Sequence, residues 1–394
     1  MTRESIGGGV LRVAWREAGR IAGDWYYPVL MLALPLSSFA LICAIFAQGV
    51  PRDLPVAVVD ADQTALSRQV IRMVDATPSM RVVQAASLDT ARALVLQNKV
   101  YGIVMIPGDM ERDVRRGDAP KVVAYYNAEY LLPASLLRRD LRTAVGTVSA
   151  GLELRVRQAK GEPPRVAMAH LEPIRVDYHT LFNPQLNYLY YLAAALLPTL
   201  LQIFVMVAGV HALGVELKEG TAGAWMEAAA GSAWRAVLGK LLPYALHFTA
   251  LGLFMLVVLF RYMAVPLHGH LSVLVAATVL LVGAYLAMAL LVVSWSANLR
   301  FATSVAALYT APAFAFVGIT FPTMGMPVPG RLWGALLPLT YYLQVVVDQS
   351  MRGALPASSM PSLGALLAFV LVAPAVSVWR MGVVAANPRY WGRQ

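Results

Sequence analysis

The sequence is short of charge and almost empty of cysteine. Of its 394 residues only 14% are Asp, Glu, Lys or Arg, against 58% hydrophobic, where a soluble chain carries roughly a quarter charged residues. That shortage, with a mean hydropathy of +0.60, places the chain in the membrane class. The single cysteine, Cys43, excludes a disulfide within the chain and a cysteine-built metal site. The long apolar runs hold almost no ionisable group, and their notable polar residues are Gln202, His211, His247, Tyr285 and Ser294. A proton- or ion-driven transporter usually displays intramembrane Asp, Glu or Arg, and no internal repeat is visible, so secondary transport is disfavoured. His211 and His247 lie toward the ends of their runs, where hydrogen bonding within a bundle is commoner than a proton relay. A phosphate-binding loop is missing as well. Gly239-Lys240 precedes Leu241, and Trp234 occupies the earlier glycine position of G-x-x-x-x-G-K-[ST]. The chain is therefore expected to be no enzyme, with no cofactor and no metal of its own.

Six segments reach the roughly 20 mostly apolar residues of a bilayer-spanning helix: 26–49, 186–213, 238–260, 271–296, 302–321 and 361–380. Pro312 and Pro322 interrupt the fifth. The stretch 331–349 is apolar but crowded by Arg331, Pro338 and Asp348. It reads as a re-entrant or interfacial helix pair within 322–355, which membrane depth tolerates only where protein or water covers the backbone.

The net charge of +10 would suit nucleic acid, but the basic residues flank apolar runs, and membrane orientation is the simpler reading. Arg3, Arg12, Arg16 and Arg20 precede the first run; Lys218, Arg235 and Lys240 lie between the second and third; Arg300 follows the fourth. Arg380, Arg389 and Arg393 close the chain, whereas Arg261, Arg331 and Arg352 are all that the short opposite loops carry. Both termini are thus expected in the cytoplasm. Segment 50–185, too long for its charges to count, is expected outside. The run 26–49 exceeds the about 7–15 residues of a signal-peptide core and reads as a spanning anchor. The chain divides into 1–24, 25–49 (the first span), 50–185 and 186–394.

In the first of these, Ile6, Val10, Leu11, Ala14, Trp15, Ala18, Ile21 and Ala22 fall on one side of a helical wheel, with Arg12, Arg16, Glu17 and Arg20 on the other. That pattern predicts an amphipathic helix lying along the cytoplasmic face. Across 54–128, apolar runs at 54–60, 80–84, 101–107 and 121–127 alternate with helical patterns at 64–75, 88–97 and 109–116. Alternation of this kind predicts an α/β sheet layer, followed by a long helix over about 131–159 carrying Arg138, Arg139 and Arg142, and a return over 175–184. Asp60 and Asp62 could suggest a metal or phosphate site, but capping of the next helix by Asp62 or Thr64 is the better account. The fold expected is an α-helical polytopic membrane protein with six transmembrane helices and an extracytoplasmic α/β domain inserted between helices 1 and 2.

Segment 214–237, GVELKEGTAGAWMEAAAGSAWRAV, is the charged exception between two apolar runs. Glu216, Lys218 and Glu219 would offer exposed charge, Gly220 a break, Thr221 a cap for the next helix, and Trp225 and Met226 apolar anchors. Read from residues alone, a docking helix and an ordinary solvated loop are equally good accounts.

Several stretches carry a family likeness. LPVAVVDADQTALSRQV (54–70), FNPQLNYLYYL (182–192), VELKEGTAGAWM (215–226), GKLLPY (239–244) and LPLTYYLQVVVDQSMRGA (337–354) together resemble, in this order, the ABC-2-type transporter permeases, the membrane half of bacterial ATP-driven exporters. The sequence departs from them at Val215 and Leu217, which replace basic positions, at Ala228 to Ser232, and at Asn187-Tyr188, which lacks an Arg-Ser. The resemblance implies that 214–237 is a coupling segment, with Glu216, Lys218, Glu219, Gly220, Thr221, Trp225 and Met226 meeting a cytoplasmic ABC ATPase that carries the ATP and Mg. It implies an exporter in the bacterial inner membrane, moving a hydrophobic or amphipathic substrate outward. A second permease copy or a similar permease would complete a dimer, and a periplasmic adaptor and outer-membrane channel could join the outer domain. Tyr188, Tyr190, Tyr191, Tyr341 and Tyr342 would line an exit path, although interfacial tyrosines commonly form an aromatic belt. No nucleic acid is expected as a partner. The rival is a membrane receptor or assembly protein with a ligand-binding outer domain, disfavoured by the short cytoplasmic parts.

Overall fold

Three hydrophobic clusters organise the described residues, one among the long apolar helices and one on each face of a β-sheet. The computed structural model describes residues 9–163 and 181–392; most of the expected return at 175–184 lies outside them. One unit comprises Met1–Ala47 with Tyr188–Gln394, the other Gln48–Asn187.

The first unit is helical. Helix α1 (Val10–Gly23) precedes α2 (Tyr26–Ile45), the first of five helices among the described residues that are long and apolar enough to cross a membrane. The other four, with the shorter helices between them, are α7 (Leu189–Lys218), α9 (Ala233–Tyr262), α10 (Leu271–Ser296) and α14 (Pro356–Ala386). Helices α7 and α10 are the most deeply buried; on α10, Leu274, Ala277, Tyr285, Ala289, Leu290 and Val293 are fully buried, and it packs most extensively against α14 and α7. In lipid, helices gain little from burying one apolar surface against another, and small residues that let backbones approach do most of the packing. Gly209 of α7 shows this: a Cβ there would stand 2.8 Å from the Ala289 Cβ.

The apolar stretch at 302–321 is not one of the five. Helix α11 (Leu299–Thr310) runs 12 residues, and a four-residue helix, Ala313–Phe316, follows Pro312. Proline supplies no N–H and breaks the helix ladder, and 12 residues rise only about 18 Å against a hydrocarbon core of roughly 30 Å. The next apolar stretch forms two short helices, α12 (Val328–Ala335) and α13 (Pro338–Val347), separated at Leu336-Leu337. On α13, Leu339, Tyr342, Leu343 and Val345 are buried. Three spans also outrun their apolar runs: α7 continues to Lys218, α9 spans Ala233–Tyr262, and α14 spans Pro356–Ala386 through Pro361 and Pro374.

The second unit holds a four-stranded sheet in the order β2–β1–β3–β4, with β1 (Leu54–Asp60), β2 (Met80–Gln84), β3 (Gly102–Ile106) and β4 (Val123–Tyr126). Strands β2 and β3 flank β1 in parallel, whereas β4 pairs antiparallel with β3. Parallel neighbours need crossovers, supplied by α3 (Ala65–Asp75) and α4 (Leu88–Leu96). Side chains alternate faces along a strand. Val56 and Val58 therefore pack with Val70 and Val74 of α3 and Leu137 and Leu141 of α6 (Leu131–Ala159), while Ala57 and Val59 face Ala91 of α4. Helix α5 (Met110–Arg116) lies between β3 and β4. Thr64 caps α3: its hydroxyl oxygen accepts from the Ser67 N–H, and the Ser67 hydroxyl accepts from the Thr64 N–H. Asp60 accepts from the Asp62 and Gln63 amides and from the Ser67 hydroxyl, and Asp62 accepts from the Thr64 hydroxyl. Both carboxylates thus hold the turn into α3.

Candidate functional site

Helix α1 has the two faces expected. Leu11 and Trp15, on its apolar side, are 70% and 77% exposed, whereas Val13 and Glu17 are buried. The charged side packs against α9. Close approach is possible because position 239 is glycine: a Cβ there would fall 2.5 Å from the Val10 carbonyl oxygen and 2.6 Å from the Val13 Cβ. Arg12 remains exposed.

What the charged side meets is a cluster of ionisable groups drawn from three places in the chain. The Lys240 ammonium of α9 donates to the Glu17 carboxylate and, at 2.7 Å, to Glu216 Oε1 at the end of α7. Arg16 grips the same Glu216 carboxylate bidentately, at 2.7 and 2.9 Å. Arg20 reaches Glu216 Oε1 at 3.1 Å and Glu219 Oε2 at 2.8 Å. The Thr221 hydroxyl also donates to Glu216, and the Tyr244 hydroxyl donates to Glu17 at 2.8 Å. Glu17, Glu216 and Lys240 are all but sealed from solvent, while Arg16 and Arg20 keep partial exposure. Three cations stand against three carboxylates. Such a cluster survives burial because each charge has a partner and directed hydrogen bonds; bidentate arginine–carboxylate pairs are the strongest of these. Outside the membrane-spanning helices, Arg16 is held above its ordinary pKa, chiefly by its bond to Glu216.

Helix α7 ends here for a local reason. Gly220 takes φ +71, the left-handed conformation that glycine adopts without a Cβ penalty. The Thr221 N–H bonds to the Glu216 carbonyl and the Gly220 N–H to that of Leu217, the paired bonds of a Schellman stop. The seven-residue helix α8 (Ala222–Ala228) follows. Trp225 is fully buried, its Nε1–H donating to the Ala236 carbonyl at 3.0 Å and its ring 5.8 Å from the Lys240 ammonium. From the end of the chain Trp391 lies against Gly223 and Gly220, and the Gly392 N–H bonds to the Leu217 carbonyl at 2.9 Å.

The expected roles in 214–237 change accordingly. Glu216 offers no exposed charge, because its carboxylate is the hub of the cluster. Trp225 is no surface anchor; it is packed beneath α8. Thr221 does not cap α8 with its side chain, since its hydroxyl is bound to Glu216. Met226 is half-buried and joins the core. Lys218, Glu219, Gly220, Ala224 and Glu227 remain exposed. Glu17, Lys240 and Tyr244 were not singled out from sequence. The available signal was a lone lysine and a lone glutamate at the margins of apolar surface, where each requires a partner.

The tyrosines find separate partners. Tyr342 is buried beside the Thr278 hydroxyl at 3.2 Å. Tyr191 donates to the Ile319 carbonyl and Tyr341 to that of Ala335, both at 3.0 Å. Tyr188 stacks on Phe46, and Tyr190 is half-buried against the core. His211 lies against Tyr26 and Tyr27, and His247 Nε2 is 2.9 Å from the Met31 carbonyl oxygen. Gln202 donates to the Thr310 carbonyl at 3.2 Å. Each of these groups is used within the bundle.

Five long apolar helices, with a paired charge cluster where α1, α7 and α9 meet, define a polytopic helical membrane protein. A family model described as ABC-2 family transporter protein matches residues 25–379, most of the chain, and the protein belongs to that family. No curated protein matches the sequence. Membership makes the chain a permease of an ABC transporter, and the family as a whole implies an ABC ATPase partner.

Proposed function

We propose that this chain is the membrane subunit of an ABC exporter, driven by ATP hydrolysis on a separate cytoplasmic ATPase. The observation that carries the reading is the buried charge cluster. It fastens α1, the end of α7 and the start of α9 to one another beside the exposed face of Lys218, Glu219, Ala224 and Glu227. A push on that face reaches two long apolar helices through short, charge-assisted bonds. Stiffness of this kind suits a part that passes on a partner's movement, a two-state element biased by nucleotide.

In this reading the 214–237 connection and both termini face the cytoplasm of a bacterial inner-membrane system. Residues 50–185 lie outside, where a periplasmic adaptor and an outer-membrane channel would engage them. Two permeases, identical or similar, form the pathway, since symmetric pairing is the commonest assembly. The cargo is hydrophobic or amphipathic and moves outward. ATP and Mg belong to the partner, and this chain performs no catalysis.

The test is co-expression with the candidate ATPase, purification in mild detergent, and measurement of bound ATPase and its hydrolysis rate. The wild type should retain the ATPase; Ala224→Trp/Glu227→Arg, on the exposed face, should lose it while the permease stays folded. Absence of any ATPase from folded wild-type protein would defeat the exporter reading in favour of the receptor alternative.

A further inference from the structure

The charge cluster lies at one end of α9; at the other end the same helix borders a large cavity. It measures about 1270 Å³ and lies against α2. Phe39 and Cys43 of α2 and Phe254 and Val257 of α9 give it apolar walls, with Met263 just beyond, while Arg261 and Tyr262 line it at the helix end. Its volume exceeds the roughly 300–1,000 Å³ of a site for a drug-sized molecule, leaving room for acyl chains.

The backbone is shaped for this. Residues Val258–Tyr262 form a π-helical turn, one residue wider than an α-turn and common where a helix serves a site. Val258, Arg261 and Tyr262 all lie on the cavity. Arg261 has no ion pair among the described residues, and Tyr262 is 81% exposed. An apolar trough ending in an unneutralised guanidinium calls for a ligand with two parts, a hydrocarbon tail and an anionic head. The surrounding leaflet supplies both parts in one molecule. A tyrosine at that level suits the headgroup boundary, and an arginine at a span end extends to meet phosphate.

We propose that this cavity holds a resident anionic phospholipid, its acyl chains against Phe39, Phe254 and Val257 and its phosphate on Arg261. The protein carries its own reporter. Cys43, the only cysteine in the sequence, lines the cavity and lies 3.3 Å from the Met263 sulfur, so a seated acyl chain shields it.

The experiment places the full chain in nanodiscs of phosphatidylcholine, with or without phosphatidylglycerol, and follows Cys43 labelling by a membrane-permeant maleimide. Phosphatidylglycerol should slow labelling by roughly tenfold, because both lipids carry a phosphate but the choline cation of phosphatidylcholine competes with Arg261 for it. In Arg261→Gln the two lipids should give the same rate, equal to that of wild type in pure phosphatidylcholine, which also shows that the variant is folded. Arg331→Gln, an exposed arginine elsewhere, should keep the wild-type response. Equal wild-type rates in the two lipids overturn the proposal, as does a response that survives Arg261→Gln. Labelling governed by the number of protein copies per disc, with no dependence on lipid, assigns the cavity to a second copy and overturns it too.

Discussion

Replacing Lys240 by methionine removes the cation shared by Glu17 and Glu216 at nearly constant volume. Lys240 is 0% exposed and Glu17 1%, so solvent cannot take over the lost contact. Glu216 keeps Arg16, Arg20 and Thr221, whereas Glu17 keeps only the Tyr244 hydroxyl among its close bonds. Breaking a buried pair while leaving one charge behind costs about 3–5 kcal/mol. For a helical unit of this size that corresponds to a fall in thermal midpoint of about 5–10 °C. The double variant Glu17→Gln/Lys240→Met removes both charges and should recover at least half of the loss, since paired charges replaced together are often close to neutral. Unfolding in nanodiscs, followed by circular dichroism and by aggregation onset for wild type, both single variants and the double, closes the cycle. Strict additivity of the two single changes, or a Lys240→Met protein as stable as wild type, refutes the argument that these charges are energetically joined.

Three further changes probe other links. Gly239→Ala sets a Cβ against the Val10 carbonyl and Val13; it should cost about 1–3 kcal/mol and lift α1, read as faster proteolysis within Val10–Gly23. Trp391→Ala should free the face of Gly220 and Gly223 that the ring covers, raising hydrogen exchange at Gly392 and Thr221 while leaving the thermal midpoint within about 2 °C. Leu137→Ala, at a fully buried position of the α/β unit, should destabilise that unit by about 2–5 kcal/mol. Limited proteolysis of 48–187 in the full chain should detect it, with Leu96→Ala, 76% exposed, nearly silent.

Period and composition made much of this architecture readable. The apolar run LPVAVVD is β1 to the residue, and the 131–159 pattern is α6, because a continuous buried run and a helical period are both written locally. Three of the long apolar runs became longer helices than hydropathy suggested: a run ends where charge begins, but a helix ends where its backbone stops, as at Gly220. The stretch at 302–321 is divided into shorter helices for the opposite reason, since Pro312 interrupts hydrogen bonding whatever the side chains prefer. The charge cluster was the least legible feature. Glu17 and Lys240 are 223 positions apart, and Arg16 and Glu216 are 200 apart; no local pattern encodes such pairings. Each residue, taken alone, reads as a solvated charge beside a membrane. Hence α1 was recognised as amphipathic, while the face it turns inward was assigned to water.

That separation also sets an order of events during synthesis. Glu17 and Arg16 leave the ribosome long before Glu216 and Lys240 exist, and at about 5–20 residues per second the interval is roughly 10–45 s. Throughout it, the first helix carries charges whose final partners have not been made. Docking of α1 is therefore a late step of biogenesis, triggered when α9 arrives, and a nascent chain halted before Lys240 presents a helix that quality control can recognise as unfinished.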